Sequence, residues 1–336
     1  MVALIIWSLI FIVSITALVK AAGWIAVAAQ KIIGGDSESD FAIAAVGAAL
    51  PELAVATAAV LQNRPELAVA IVVGSSLANI LLVVGVSALA AKNLAVKDDY
   101  LNNDLPFFVA AIAIFYFIAL DGQIDFYEGL LMLGAFFVYA VCVLVGPRRG
   151  LTPRDVITPQ AIRSNGAKLM EFVGTRIEKS FEAGLEKASF WKTLLMFAGG
   201  FLLLLVAAHF AVDSLTSVSD IFLISAAVMA MFVLSVAAAL PEISRGLAVI
   251  RKKQHETALG NIFAATTVNL LLVAGMGAML APLPIGEETL SVGLPFMIAA
   301  SGLLAVSVFG RKIIFGQGLM YLLLYFLFFA KLFNLF

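Results

Sequence analysis

Glu52 and Glu242 each close a Leu-Pro-Glu triplet set in a long run of alanine, valine and leucine. A carboxylate in the middle of a membrane-type segment is costly unless it faces a cavity and finds a partner. Neither run offers an evident intrahelical Lys or Arg, and Arg245 and Lys20 are expected close to span ends. A bound cation would supply the missing positive charge. The prolines add oxygen ligands to this reading. Pro51 and Pro241 have no N–H and disturb the carbonyls four residues back, on Gly47 and Ala237. The adjacent carbonyls of Ala48 and Ala238 should loosen with them, as unwound carbonyls do at membrane depth. In the following apolar run, Ser75 and Asn79 are four apart on one helical face and are expected to point together at Glu52. Asn269 holds the place equivalent to Asn79, with Ala265 where the serine would be. For each asparagine an interhelical hydrogen bond is the alternative role. The candidate metal ligands are therefore Glu52, Glu242, Asn79, Asn269, Ser75, Ala48 and Ala238. An oxygen-only set of this kind suits Ca2+ or Na+ better than a transition metal, and a chain with 2 histidines offers little for zinc.

These residues need elements to hold them, and the composition says which. Of 336 residues, 62% are hydrophobic and only 13% charged, with a mean hydropathy of +1.07. Such a chain is too apolar for a water-soluble fold. Apolar stretches near the length of about 20 residues that spans a bilayer recur throughout. They fall near 3–29, 39–62, 66–90, 105–121, 126–146, 191–214, 219–250, 256–281, 289–309 and 314–334. The fold class expected is an all-α integral membrane protein of ten transmembrane helices. The first stretch has no basic residue before Lys20, which favours a span over a cleaved leader. Lys31, Lys92, Lys97, Arg251, Lys252, Lys253, Arg311 and Lys312 fall on one side of the resulting topology. Asp121, Asp125, Asp213, Asp220, Glu287 and Glu288 fall on the other. By the positive-inside rule the basic side is cytoplasmic and both termini are non-cytoplasmic. The expected location is the plasma (inner) membrane. A net charge of -1 argues against a nucleic-acid partner, and no obligate protein partner is inferred. The lone Cys142 can form no intrachain disulfide.

The chain divides at one long basic connection, giving a first five-helix repeat over 1–146, a cytoplasmic linker over 147–190 and a second repeat over 191–336. Leu169, Val173, Ile177, Phe181 and Leu185 recur every four residues in the linker, the pattern of an amphipathic helix lying on a lipid surface. Residues 41–89 align without a gap on 231–279 at an offset of 190. Leu50-Pro51-Glu52 then meets Leu240-Pro241-Glu242, and Glu66, Asn79 and Gly85 meet Glu256, Asn269 and Gly275. The copies are five spans apart, an odd number, so the second enters the membrane from the opposite side. Inverted repeats place substrate near the midplane between the halves and support alternating access. Outside this core, His209 is expected as a packed or interfacial residue, Gly199-Gly200 as a close helix contact, and the run Tyr321 to Phe336 as lipid-facing.

The two motif regions, Gly47-Ala48-Ala49-Leu50-Pro51-Glu52 with Gly74-Ser75-Ser76-Leu77-Ala78-Asn79, and Ala237 to Glu242 with Gly260-Asn261-Ile262-Phe263, resemble the cation/Ca2+ exchanger superfamily. More specifically, they resemble the Na+/Ca2+ exchanger membrane domain. The resemblance covers essentially the whole chain. It implies a secondary antiporter, not an enzyme, with no resident cofactor, in which Glu52, Glu242 and the carbonyls at Ala48 and Ala238 ligate Ca2+. The family's Na+ sites, by resemblance, use a Thr-Ser pair before each Leu-Pro-Glu, and here both pairs are alanines, at 48–49 and 238–239. Ser75 alone remains of those hydroxyls, and some members carry an acid where Asn269 stands. The expected transported ion is Ca2+, with Na+ or H+ as counter-ion. The alternatives are an exchanger-fold protein that binds a divalent cation without coupled transport, and a cation uniporter.

Overall fold

The computed structural model describes residues 2–33, 37–96, 104–145, 188–251 and 255–335, and they are almost entirely helical. Helices α1 (Val2–Ile33) and α2 (Ser37–Leu61) lead into a third rod built from α3 (Pro65–Leu77), a π-helical turn π1 (Ala78–Val83) and α4 (Val84–Ala91). Strand β1 (Asn93–Ala95), α5 (Leu105–Ala119), strand β2 (Gln123–Ile124) and α6 (Phe126–Val145) complete the first half. The second half opens with α7 (Ala188–Phe222), then a rod of α8 (Ala226–Met229), π2 (Ala230–Leu234) and α9 (Ser235–Arg251). Next come α10 (His255–Val268), π3 (Asn269–Val273), α11 (Ala274–Leu280) and strand β3 (Leu283–Pro284). The chain ends in π4 (Thr289–Gly293) with α12 (Leu294–Phe309), strand β4 (Lys312–Ile314) and α13 (Phe315–Leu332). Among the described residues, 7 helices are long and apolar enough to cross a bilayer, and Val46–Leu61, Leu105–Ala119 and Phe126–Cys142 are shorter apolar segments. Together they account for the ten spans. The linker and its expected amphipathic helix lie outside the described residues.

The inverted relation of the halves is visible in two small ribbons. β1 pairs antiparallel with β4, and β2 with β3. β3 begins 190 residues after β1, and β4 begins 189 after β2, so each ribbon joins one strand of each half and the halves exchange equivalent strands. Paired strands share a membrane face. The loop holding β1 is separated from that holding β4 by an even number of spans, and from its own equivalent, β3, by an odd number. The two ribbons therefore cap opposite faces, as an inverted repeat requires.

Helix packing repeats the exchange. A Cβ placed on Gly318 of α13 would stand 2.9 Å from the Ala88 side chain, and one on Gly129 of α6 would stand 2.8 Å from Ala278. Ala88 and Ala278 are again 190 apart, so α4 meets α13 as α11 meets α6. Small residues let these backbones approach where lipid gives no hydrophobic push between helices. Nearly every residue of the third rod is buried, as are most of Leu259–Leu280. These two rods form the centre of the molecule.

The structure corrects several expectations. The break between the sixth and seventh spans lies at Leu223–Ser225, with Leu223 at φ 56, so Asp213 and Asp220 are helical. The polar run there reads as a loop, but Ser214, Thr216 and Ser219 each donate a hydroxyl hydrogen bond to a carbonyl of the preceding turn, which satisfies them inside α7. His209 is exposed; its Nδ1 faces the Gln62 amide at 2.9 Å and its Nε2 lies 3.4 Å from Asp213. His255 begins α10. Only half of the C-terminal run is lipid-facing. Tyr321 and Phe328 are fully buried while Leu323 and Phe326 are exposed, and the Tyr321 hydroxyl donates to Ser307 Oγ at 2.9 Å. Gly200 packs against Ile25 and the Ala21 carbonyl, whereas nothing approaches Gly199.

Candidate cation-binding site

Helices α2 and α9 carry the two Leu-Pro-Glu triplets, and both run unbroken across their prolines. The expected unwinding at Gly47 and Ala237 is absent. π turns lie in the partner rods, where π1 and π3 hold Asn79 and Asn269 at equivalent places, and π2 leads directly into α9. A π turn opens one residue's worth of extra backbone and is frequent at functional sites. Here it repeats in both halves, which marks it as part of the architecture.

Glu52 and Glu242 line one cavity of about 320 Å³, with Ala48, Ala238, Pro51, Pro241 and Ser75. Five of the seven expected ligands are thus brought together. Glu52 is 7% exposed and its Oε2 has no hydrogen-bond partner. The Asn269 amide donates to Ser75 Oγ at 3.1 Å and also faces the Glu52 carboxylate. Asn269 Oδ1 has no partner, so a carboxylate oxygen and an amide oxygen stand unsatisfied in one buried cluster. An unpaired buried acceptor is expensive and calls for a donor or a cation.

Asn79 and Asn269 are both buried and neither lines the cavity; of the two it is Asn269 whose amide faces the Glu52 carboxylate. The expectation that Ser75 and Asn79 together face Glu52 is therefore corrected. The reason is the exchange of partners: π3 packs on α2 and π1 on α9, so the amide beside Glu52 comes from the other half. Ser75 is held from its own helix as well, donating to the Val72 carbonyl at 3.2 Å.

A second correction concerns Arg245. It is not remote from the carboxylates; its Nη2 donates to Glu242 Oε2, one helical turn away, and it lines the cavity. The Glu242 side chain is 14% exposed and that of Arg245 48%. One carboxylate thus has an in-chain cation and the other does not. One long side of the wall comes from α1, over Ile15 to Gln30. At about 1.5 Å per residue that run covers roughly 22 Å, leading from the carboxylates toward the face where α1 ends. Among the described residues no cluster of three or more His, Cys, Asp or Glu is present; the charged acceptors that the cavity offers are the two carboxylates.

The fold and site define an integral membrane protein of two inverted five-helix repeats with a two-carboxylate cavity between them. The chain belongs to the sodium/calcium exchanger protein family, whose model matches residues 2–145 and 192–333. It is 26% identical over 276 residues to the inner membrane protein YrbG of Escherichia coli, covering 82% of this chain and 79% of that one. It is 24% identical to the sodium/calcium exchanger MaX1 of Methanosarcina acetivorans, over 97% and 98% of the two chains. Its fold is similar to that of the H+/Ca2+ exchanger CAX, with a TM-score of 0.71 at 17% identity, covering 98% of this chain and 86% of the other. The sodium-calcium exchanger NCX_Mj gives 0.63 at 20% identity, over 97% and 99%.

Proposed function

We propose that this protein is a secondary active cation antiporter that binds Ca2+ between Glu52 and Glu242 and exchanges it for Na+ or H+ by alternating access. The observation that carries this is the meeting of two intramembrane carboxylates, one from each inverted half, in a single cavity. A site built at that interface can be exposed to either face by rocking the halves against each other. The cavity reaches toward the face where α1 ends, which the distribution of Lys and Arg assigns to the cytoplasm. The described conformation is then inward-open, with both termini on the non-cytoplasmic side of a plasma membrane.

Glu52, with an unsatisfied oxygen beside the Asn269 amide oxygen, supplies one end of the ion site, and Glu242 the other. Ala48 and Ala238 contribute backbone oxygen at most. The alanine pairs at 48–49 and 238–239 remove hydroxyls that would favour Na+, which leaves the proton as the stronger candidate counter-ion. Uptake of 45Ca2+ into proteoliposomes, driven separately by a Na+ gradient and a pH gradient, tests the proposal. Uptake under one gradient and loss in Glu52→Gln supports it. Binding without flux under either gradient would make the protein a non-transporting relative, and flux that needs no counter-ion would make it a uniporter.

A further inference from the structure

At the cavity the two halves share the Leu-Pro-Glu and the two alanines before it, but they differ in charge one turn later. The residue equivalent to Arg245 in the first half is Val55, 190 positions earlier. Val55 lines the same cavity, so the asymmetry falls inside the site. Glu242 is therefore paired by a guanidinium on its own helix while Glu52 Oε2 has no partner. With both carboxylates ionised, Glu52, Glu242 and Arg245 sum to one net negative charge. A divalent ion entering beside the paired arginine would leave one uncompensated positive charge in an apolar cavity, which is strongly disfavoured. With the arginine withdrawn, the two carboxylates match a divalent ion. Arg245 is about half exposed and sits on a long flexible stem, so its head can leave Glu242 without disturbing α9.

We propose that Arg245 is a tethered counter-cation: its guanidinium and the transported divalent ion alternate on the Glu242 carboxylate during the exchange cycle. This rests on the antiporter reading and adds a consequence to it. When Ca2+ leaves, Arg245 neutralises Glu242 and only Glu52 needs an external monovalent cation or proton. The cycle then moves one monovalent ion against each Ca2+, with one net charge crossing the membrane. Without the arginine both carboxylates must be neutralised from outside, and the ratio becomes two, an electroneutral exchange.

The test uses the full chain in proteoliposomes, comparing wild type with Arg245→Val, Arg245→Gln and Arg245→Lys. The readouts are the Ca2+ concentration giving half-maximal exchange and the coupling ratio from the reversal potential under imposed K+ diffusion potentials. In Arg245→Val and Arg245→Gln the half-maximal Ca2+ concentration is expected to fall at least about tenfold, the ratio to rise from one to two, and the dependence on membrane potential to disappear. Arg245→Lys should keep the wild-type ratio, because the contact it replaces is a single donated hydrogen bond. A purely structural arginine would leave the ratio unchanged. An unchanged ratio in both neutral variants, weaker Ca2+ binding in both, or aggregation of both on size exclusion overturns the tether while wild-type exchange still supports the antiporter. Absence of Ca2+ exchange in the wild type under every gradient overturns both.

Discussion

Gly74 offers the sharpest structural test of how the halves hold the site. It lies on α3 against the π2 segment of the opposite half, one residue before Ser75. A Cβ added there would stand 2.7 Å from Met231 Cα and closer still to the Met231 carbonyl oxygen and Ser235 Oγ. Carbon contacts are comfortable at about 3.5–4.0 Å, so the rods must separate by roughly 1 Å. Because two of the three obstacles are backbone, no rotamer change relieves them. Overpacking a filled core costs about 1–3 kcal/mol, and the backbone contacts place Gly74→Ala at the upper end. At about 1.4 kcal/mol per factor of ten, the ratio of folded to unfolded protein falls roughly a hundredfold. Gly134→Ala provides the control, since nothing lies within 4 Å of its added Cβ and alanine is favoured over glycine in a helix by about 1 kcal/mol. Thermal melting of detergent-solubilised protein, followed by fluorescence size-exclusion, should show Gly74→Ala melting well below wild type and Gly134→Ala at or above it. A Gly74→Ala protein as stable as wild type would refute the close crossing of α3 and π2.

Other outcomes follow from the same geometry. Glu52→Gln and Glu242→Gln should each abolish 45Ca2+ flux while leaving size-exclusion profiles intact. Asn269→Ala, which removes the amide between Ser75 and Glu52, should weaken Ca2+ binding about fivefold, in line with a hydrogen bond worth about 1 kcal/mol. Asn79→Ala, which leaves that amide in place, should weaken it less; isothermal titration separates the two. Tyr321→Phe leaves the buried Ser307 hydroxyl without its partner and should cost about 1 kcal/mol of stability, read from the same melting assay. Cys142 is the only cysteine and is buried, so a membrane-impermeant maleimide should leave the folded protein unlabelled.

The architecture was legible in the sequence because rare residues in apolar runs carry information. Pro-Glu and Asn at one offset announce a repeat, and an odd number of spans between copies makes it inverted. The misread parts are those in which local chemistry depends on a distant partner. Asn79 and Ser75 share a helical face, but the amide that reaches Glu52 belongs to π3, and only the three-dimensional exchange of partners shows it. The polar stretch from Asp213 to Asp220 imitates a loop, since a sequence does not reveal that its hydroxyls bond back to their own helix. Arg245 was within reach. It stands three residues after Glu242, and i, i+3 pairs of opposite charge face each other on a helix. Placing it near a span end hid the contact. The prolines misled differently: Pro51 and Pro241 suggest broken helices, yet α2 and α9 continue through them, and the irregular backbone appears as π turns in the rods opposite and just before α9.

The account stands or falls on whether one ion sits between the two carboxylates. Anomalous diffraction from crystals of the wild-type protein soaked in Sr2+ would locate it. The structure predicts a single strong peak in the cavity bounded by Glu52, Glu242 and Ser75, with the Arg245 guanidinium turned away from Glu242. Strontium bound elsewhere, or a cavity without a peak in protein that exchanges the ion, would contradict a shared two-carboxylate site.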